Sequence, residues 1–180
     1  MKTQKLTVTL NNYSLLFYTA SFTGFFWETF IYFIQEQQFY KRGFFHGPWL
    51  PVYGTGAGII YFFLHTQKDH PLRCFFFSGL LGGTVELLIG WFLYTFFHAK
   101  YWDYTGQFLH LGSYICLYSV LGFALAGMLL VCFVAPWLLG FWQQLSLRLR
   151  VNLIAVLVIL LAVDTAVSLI IPNSGMGITF

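Results

Sequence analysis

The stretch that decides the fold class is CFFFSGLLGGTVELLIGWFLYTFFH, residues 74–98. It is long enough to cross a bilayer, because about 20 mainly apolar residues span the hydrocarbon core of about 30 Å. Residues 12–34, 110–134 and 151–171 share its length and apolar character. A shorter, glycine-rich stretch, residues 51–65, is expected either to span or to be re-entrant. The sequence therefore predicts about five transmembrane helices.

The composition supports the same fold class. Of 180 residues, 58% are hydrophobic and 8% are charged, whereas about a quarter of the residues of an ordinary soluble domain are charged. A net charge of +3 is too small to indicate nucleic-acid binding. Cys74, Cys116 and Cys132 form no CxxC pair, so we expect free thiols, with no cofactor or metal. We predict an all-α, polytopic integral membrane helix bundle that forms one transmembrane domain over residues 1–180.

The basic residues predict the orientation of the chain. With five spans, one side of the membrane carries Lys2, Lys5, Lys68, Arg73, Arg148 and Arg150, and the other carries Lys41, Arg42 and Lys100. Because cytoplasmic loops carry the excess of Lys and Arg, the N-terminus is expected in the cytoplasm. The first apolar stretch is expected to be a retained span rather than a signal peptide. Residues 135–150 are expected to form an interfacial helix.

Three acids lie inside the predicted spans, where an ionisable side chain is costly and indicates a functional site. Glu28 and Asp164 lie about 9–10 Å from the outer ends of their spans, and Glu86 about 18 Å from its end. Each acid shares a helical face with small or polar residues, so all three are expected in one polar cavity of the outer half of the membrane. A packing role for a neutral, hydrogen-bonded acid stays open for Glu28 and Glu86 and is favoured for Asp164.

Two polar loops are predicted on the same outer side. The first contains KRGFFHGPWLPVYG, residues 41–54, whose Gly and Pro residues restrict it to one shape. Arg42 is expected to hold an acid or an anionic headgroup, or to lie at the headgroup boundary. The second contains Trp102, Asp103 and Tyr104. Asp103 is expected to complete a polar site with Arg42 or to cap the next helix.

These loops carry a resemblance to a known family. Glu28, the run 41–57, Glu86, and the runs WDY (102–104) and YICL (114–117) resemble the small bacterial membrane proteins called "Putative ABC-transporter type IV", or CmpB-like permeases. The resemblance covers residues 17–131. It implies that the family's characteristic positions map to Glu28, Arg42, Gly43, Gly47, Pro48, Tyr53, Gly54, Glu86, Trp102, Asp103 and Tyr104.

Two hypotheses for the function follow. The favoured one is a permease-like transport subunit of the bacterial cytoplasmic membrane, whose substrate-binding residues are Glu28, Arg42, His46, Tyr53, Glu86, Asp103 and Tyr104. Because the sequence has no GxxxxGK[ST] motif, any ATPase would be a separate subunit. The lipid bilayer is a partner, and a homo-oligomer is compatible with so small a pathway. The alternative is an intramembrane enzyme acting on lipid or lipid-linked substrates at the outer leaflet, with a glutamate as general base.

Overall fold

The computed structural model describes residues 2–37, 41, 43–171 and 173; for residues 2–5, 35 and 36 it describes the backbone alone. This part of the chain is helical and contains no strand. Its α-helices are α1 (Lys2–Glu36), α2 (Pro51–Leu64), α3 (Pro71–Phe97), α4 (Leu117–Leu129), α5 (Ala135–Gln144) and α6 (Leu147–Ile170). A 3-10 turn, His65–Gln67, follows α2, and a π-helical turn, Leu130–Val134, joins α4 to α5.

Three helical stretches of the described chain are long and apolar enough to cross a membrane: Pro71–Phe97, Leu117–Gln144 and Leu147–Ile170. The prediction of an all-α membrane protein is therefore confirmed, and the total of five spans is not. The helix α1 starts at Lys2 rather than at residue 12, and it is less apolar than these three. The helix α2 has 14 residues, or about 21 Å, less than the hydrocarbon thickness.

The fourth predicted span was placed too early. The helix α4 begins at Leu117, whereas residues 110–116 form turns that contain an isolated bridge between Leu111 and Ile115. The backbone explains this start, because Leu109, Gly106 and Gly112 have φ angles of 50°, 86° and 60°, which a right-handed helix excludes. Cys116 then caps α4 through a reciprocal capping box with Ser119.

The predicted interfacial helix over residues 135–150 is not a single helix, and its interfacial position stays a prediction. The helix α5 continues directly from α4, as part of the single stretch Leu117–Gln144. Pro136 does not interrupt it, because the proline lies near the start of α5, directly after the π-helical turn, and such turns accommodate local breaks in the hydrogen-bond ladder. The helix α5 ends at Gln144, and Leu145 and Ser146 connect it to α6. The Ser146 hydroxyl accepts the Leu149 N–H at the start of α6. Arg148 and Arg150 therefore lie in α6.

The described chain divides into two compact units, and the prediction of one domain stays a prediction. Unit one comprises the described residues of 2–58 and 137–173; unit two comprises residues 59–136. The core of unit one joins α1 to α6 through Tyr18, Trp142 and Ile154. The indole of Trp142 donates a hydrogen bond of 2.9 Å to Asn11 Oδ1 within this core.

Unit two is built on close contact between α3 and α4. Glycines on both helices allow it, as small residues do in membrane helix pairs. A Cβ at Gly127 would lie 2.3 Å from Ser78 Oγ, and one at Gly82 would lie 2.6 Å from Phe123 Cβ. Beside this contact, Ile60, Leu64, Cys74 and Val131 form a buried apolar cluster. The glycine face of α3 thus faces the unit interior, and Glu86 lies on that face with 8% of its surface exposed.

Candidate functional sites

The Gly-Pro loop, residues 43–50, has one defined path in unit one. Gly43 begins it with a φ of 89°, a conformation that favours glycine. Its end is fixed to α1, because Leu50 N–H donates to the Ser21 carbonyl at 3.0 Å. At its start, the Asn173 side-chain amide donates to the Gly43 carbonyl at 2.8 Å. Both ends of the loop are therefore held by other parts of the unit.

The middle of this loop is held by Asp164 of α6. Asp164 Oδ1 accepts the His46 N–H at 2.9 Å, and Oδ2 accepts the Gly47 N–H at 2.8 Å. Trp49 Nε1 donates to Oδ2 at 2.5 Å, and the Ser168 hydroxyl donates to Oδ1 at 3.1 Å. We call these five residues the loop clamp. A carboxylate with 9% of its surface exposed and four donors is well stabilised as an anion. Its role in the described structure is to anchor the loop.

His46, Ser168 and Asp164 are close together, but their geometry does not fit nucleophilic catalysis. His46 Nδ1 lies 3.0 Å from Ser168 Oγ and 3.8 Å from Asp164 Oδ1. In a catalytic triad one imidazole nitrogen takes the serine proton while the other donates to the carboxylate. Here the same nitrogen faces both oxygens, so no relay through the ring exists.

Glu28 and Tyr53 form a second polar contact of unit one. The Tyr53 hydroxyl donates to Glu28 Oε1 at 2.9 Å. Gly24 makes this contact possible, because a Cβ there would lie 2.3 Å from Tyr53 Cγ. Position 54 must likewise be small, since a Cβ there would lie 2.4 Å from Ser21 Oγ. The spacing from Gly24 to Glu28 puts both on one face of α1, so the start of α2 packs its tyrosine directly along that face.

Unit two contains a glutamate–tyrosine pair that matches Glu28 and Tyr53. The Tyr104 hydroxyl donates to Glu86 Oε1 at 2.9 Å. Burial and the neighbouring Glu86 carboxylate raise the pKa of Tyr104, so this phenol stays protonated as a donor at neutral pH. The loop that carries Tyr104 is fixed by the Tyr104 N–H, which donates to the Ser113 carbonyl at 3.1 Å, and by Trp102 Nε1, which donates to the Tyr114 carbonyl at 2.9 Å.

Asp103 lies on the same loop, and its contacts with the described residues are local. Its Oδ1 accepts the Thr105 N–H at 2.9 Å, and its Oδ2 lies 3.0 Å from Lys100 Nζ. Hydrogen bonds from Thr105 and Lys100 lower the pKa of Asp103 to about 2. Its side chain is 47% exposed, so solvent screens the pair and it adds little stability. Asp103 therefore closes a turn within the loop and does not cap α4.

A small recess lies beside this loop, lined by residues of α3 and of the loop. Its volume is about 10 Å³, and its lining includes Gly90, Trp102, Ser113 and Tyr114. That volume is about enough for one water molecule. Gly90 permits the packing, since a Cβ there would lie 3.2 Å from the Trp102 ring. A substrate larger than water does not fit this recess in the described conformation.

The predicted site residues thus fall into separate groups. Glu28 contacts Tyr53, and His46 belongs to the loop clamp, both in unit one. Glu86 contacts Tyr104 in unit two, with Asp103 next to it in the chain. Arg42 lies outside the described residues, and so does its predicted pairing with Asp103. The prediction of one cavity for all three acids stays a prediction. Among the described residues, no group of three or more His, Cys, Asp and Glu could hold a metal ion.

Sequence reasoning missed the loop clamp. A structural role was favoured for Asp164, but its partners in the Gly-Pro loop were not foreseen. The available signal was the spacing of Asp164 and Ser168 on one face of α6. That signal places two polar groups together, yet it cannot show which of the distant backbone N–H groups they meet.

Comparison with known proteins bears on this arrangement. The family model described as "Putative ABC-transporter type IV" matches residues 15–169. The match includes every candidate residue above, from Glu28 to Ser168. No curated protein and no solved structure is significantly similar to the chain. The apolar helices and the family agree that this is a membrane protein. Because the match covers most of its length, the chain belongs to the family "Putative ABC-transporter type IV".

Proposed function

We propose that the chain is the membrane-embedded, permease-like subunit of an ABC-type transporter. Family membership and the apolar helices support a role in membrane transport. The observation that carries the proposal further is the hydrogen bond between Glu86, a buried acid within the spanning helix α3, and Tyr104 of the loop that follows this helix. The proposed setting is the bacterial cytoplasmic membrane, with the N-terminus in the cytoplasm, as the distribution of Lys and Arg favours.

The position of Glu86 argues for a function beyond packing. It lies 15 residues after Pro71 and 11 before Phe97, about 22 Å and 16 Å from the two helix ends. An acid near the middle of a span costs about 2.5–3.5 kcal/mol on insertion scales. A glutamine could also accept the Tyr104 hydrogen bond, but it carries neither a charge nor a transferable proton. A charge or a proton at this depth is therefore the reason we infer for a carboxylate.

The chemistry of the two pairs indicates the class of substrate. A carboxylate next to a phenol binds a cation, a proton or a cationic group of a larger molecule. Glu28 and Tyr53 repeat the arrangement in unit one with the same distance of 2.9 Å. We assign substrate binding to Glu28, His46 and Tyr53 in unit one and to Glu86, Asp103 and Tyr104 in unit two. We also assign substrate binding to Arg42, on the basis of the sequence alone.

The proposal includes partners. No GxxxxGK[ST] motif occurs in the printed sequence, so ATP hydrolysis is assigned to a separate subunit. A homo-oligomer would enlarge the pathway that this small chain can form. Enzymatic action on lipids remains the rival account. The single nitrogen that His46 presents to both Ser168 and Asp164 does not support it.

Exchanging Glu86 for glutamine tests the proposal. Glu86→Gln keeps the side-chain shape and removes the charge. We expect the ATP-dependent change in the contents of membrane vesicles from the source cells to fall about tenfold or more, because a lost charge-assisted contact is worth about 1.5–3 kcal/mol. Untargeted mass spectrometry of the vesicle contents and of their lipids measures both readouts. Lipid composition should not change.

Asp69→Asn is the matched control, since it makes the same chemical change at an exposed residue of a turn. It should behave as the unaltered chain does. Equal transport by the two variants would reduce Glu86 to a packing residue and overturn the assignment of the site. An altered lipid profile with unchanged vesicle contents would support the enzyme instead.

A further inference from the structure

The inward face of α6 carries a buried charge near each of its ends. The stripe that faces the core of unit one has spacings of three and four residues, as one helical face requires: Arg150, Ile154, Leu157, Leu161, Asp164 and Ser168. Arg150 has 8% of its surface exposed and Asp164 has 9%. They are 14 residues apart, or about 21 Å along the helix. These two groups therefore lie in different surroundings within the same unit.

The two charges differ in their partners. Asp164 receives the four hydrogen bonds of the loop clamp. Arg150 presents Nε and Nη1, both shielded from water, and no atom of the described residues accepts a hydrogen bond from either. A guanidinium stays charged at any physiological pH. Two buried guanidinium nitrogens without an acceptor are unfavourable, so an anion that accepts from both would stabilise Arg150.

The location of Arg150 indicates where the anion comes from. It is the fourth residue of α6, which has 24 residues and is about 36 Å long, so its ends extend beyond a hydrocarbon core of about 30 Å. Arg150 thus lies near the level of the lipid headgroups. The preceding helix α5 exposes Trp137 and Phe141, and aromatic side chains, tryptophan above all, are typical of the membrane boundary. The start of a long helix also favours a negative group.

We infer that Arg150 binds the phosphate of an anionic phospholipid. The fork of N–H donors in a guanidinium matches two phosphate oxygens, and Nε with one Nη nitrogen forms such a fork. Neighbouring side chains shield these two nitrogens in the described conformation, so a phosphate reaches them only when those side chains move aside. A lipid headgroup is present at high local concentration beside the start of α6. This lipid site is independent of the proposed transport function, because it uses none of the residues assigned to substrate.

Native mass spectrometry of the purified protein tests this inference. The probes are phosphatidylglycerol and phosphatidylcholine added in detergent, and separately inorganic phosphate. We expect the unaltered chain to retain phosphatidylglycerol in preference to phosphatidylcholine. Arg150→Gln should retain about tenfold less phosphatidylglycerol, because the charge-assisted contact is lost. Arg148→Gln, the same change at an exposed neighbour, should retain as much as the unaltered chain. Inorganic phosphate should not displace the bound lipid.

A second variant keeps the test decisive if Arg150→Gln does not fold. Arg150→Lys preserves the charge and removes the planar fork, so it should fold and retain phosphatidylglycerol less well than the unaltered chain. Thermal unfolding with added phosphatidylglycerol should show a smaller stabilisation of this variant than of Arg148→Gln. Equal lipid retention by the Arg150 and Arg148 variants would overturn the inference. Displacement of the lipid by inorganic phosphate would assign the site to a dissolved anion and would also overturn it.

Discussion

Asp164→Asn should lower the free energy of unfolding by about 2–4 kcal/mol, because a charge-assisted bond is lost and a buried backbone N–H is left unsatisfied. An asparagine can keep its oxygen toward Gly47 and Trp49. Its NH2 group would then face the His46 N–H, so a donor would meet a donor. Ser168 can rotate its hydroxyl to accept, but a backbone N–H has no such freedom. The Gly-Pro loop should therefore separate from α6 at His46.

Denaturant titration of the protein in mild detergent measures this loss of unfolding free energy. Asp103→Asn is the control, since it removes the charge of a side chain that is 47% exposed and should cost less than about 1 kcal/mol. Hydrogen exchange of the His46 and Gly47 amides gives a local readout and should accelerate in Asp164→Asn alone. Equal unfolding free energies for the two variants would show that the loop clamp contributes nothing to stability.

The second large effect is expected at the contact between α3 and α4. A Cβ at position 127 would lie 2.3 Å from Ser78 Oγ and 2.4 Å from Ser78 Cβ. No rotation of the serine relieves the second contact, so the helices must move apart. Gly127→Ala should therefore destabilise unit two by about 1–3 kcal/mol, although alanine is the better helix former by about 1 kcal/mol.

Gly122 supplies a matched control on the same helix. Nothing lies within 4 Å of a Cβ at that position, so Gly122→Ala should leave the thermal unfolding temperature unchanged or raise it. Ser78→Gly removes both clashing atoms, and combining it with Gly127→Ala should recover most of the loss. If Gly127→Ala and Gly122→Ala unfold at the same temperature, the helices are not held at the distance that this contact implies.

Much of the fold could be predicted because lipid imposes a simple rule. The segments must be apolar, and their backbone groups must be satisfied internally, so α3 and α6 were visible from composition alone. The start of α4 was not visible, because its apolar neighbours Leu109 and Leu111 continue the hydrophobic pattern. Positive φ angles at Gly106, Leu109 and Gly112 prevent a helix in this stretch. Hydropathy carries no information on backbone angles, so it could not show this.

The candidate site was predictable in a similar, partial way. Acids in apolar segments are rare and costly. Glu28 and Glu86 could therefore be identified as candidate site residues from the sequences of their own helices. Their partners Tyr53 and Tyr104 came from the resemblance to a family rather than from spacing. Asp164 could be placed on its helix by counting, whereas Arg150 was assigned to a separate interfacial helix and lies in α6. Whether a buried charge meets four donors or no acceptor depends on distant loops, which sequence periodicity does not describe.

The central claim, a transport subunit that works with a separate ATPase, is tested most directly by purifying the chain from its source cells in mild detergent. The measurement is ATP hydrolysis by the purified material, together with the identity of the proteins in it. The account predicts an ATP-binding subunit at a fixed ratio to this chain, and ATP hydrolysis that disappears when that subunit is removed. Purified chain that alters added lipids by itself, with no ATP-binding subunit and no ATP hydrolysis, would contradict it.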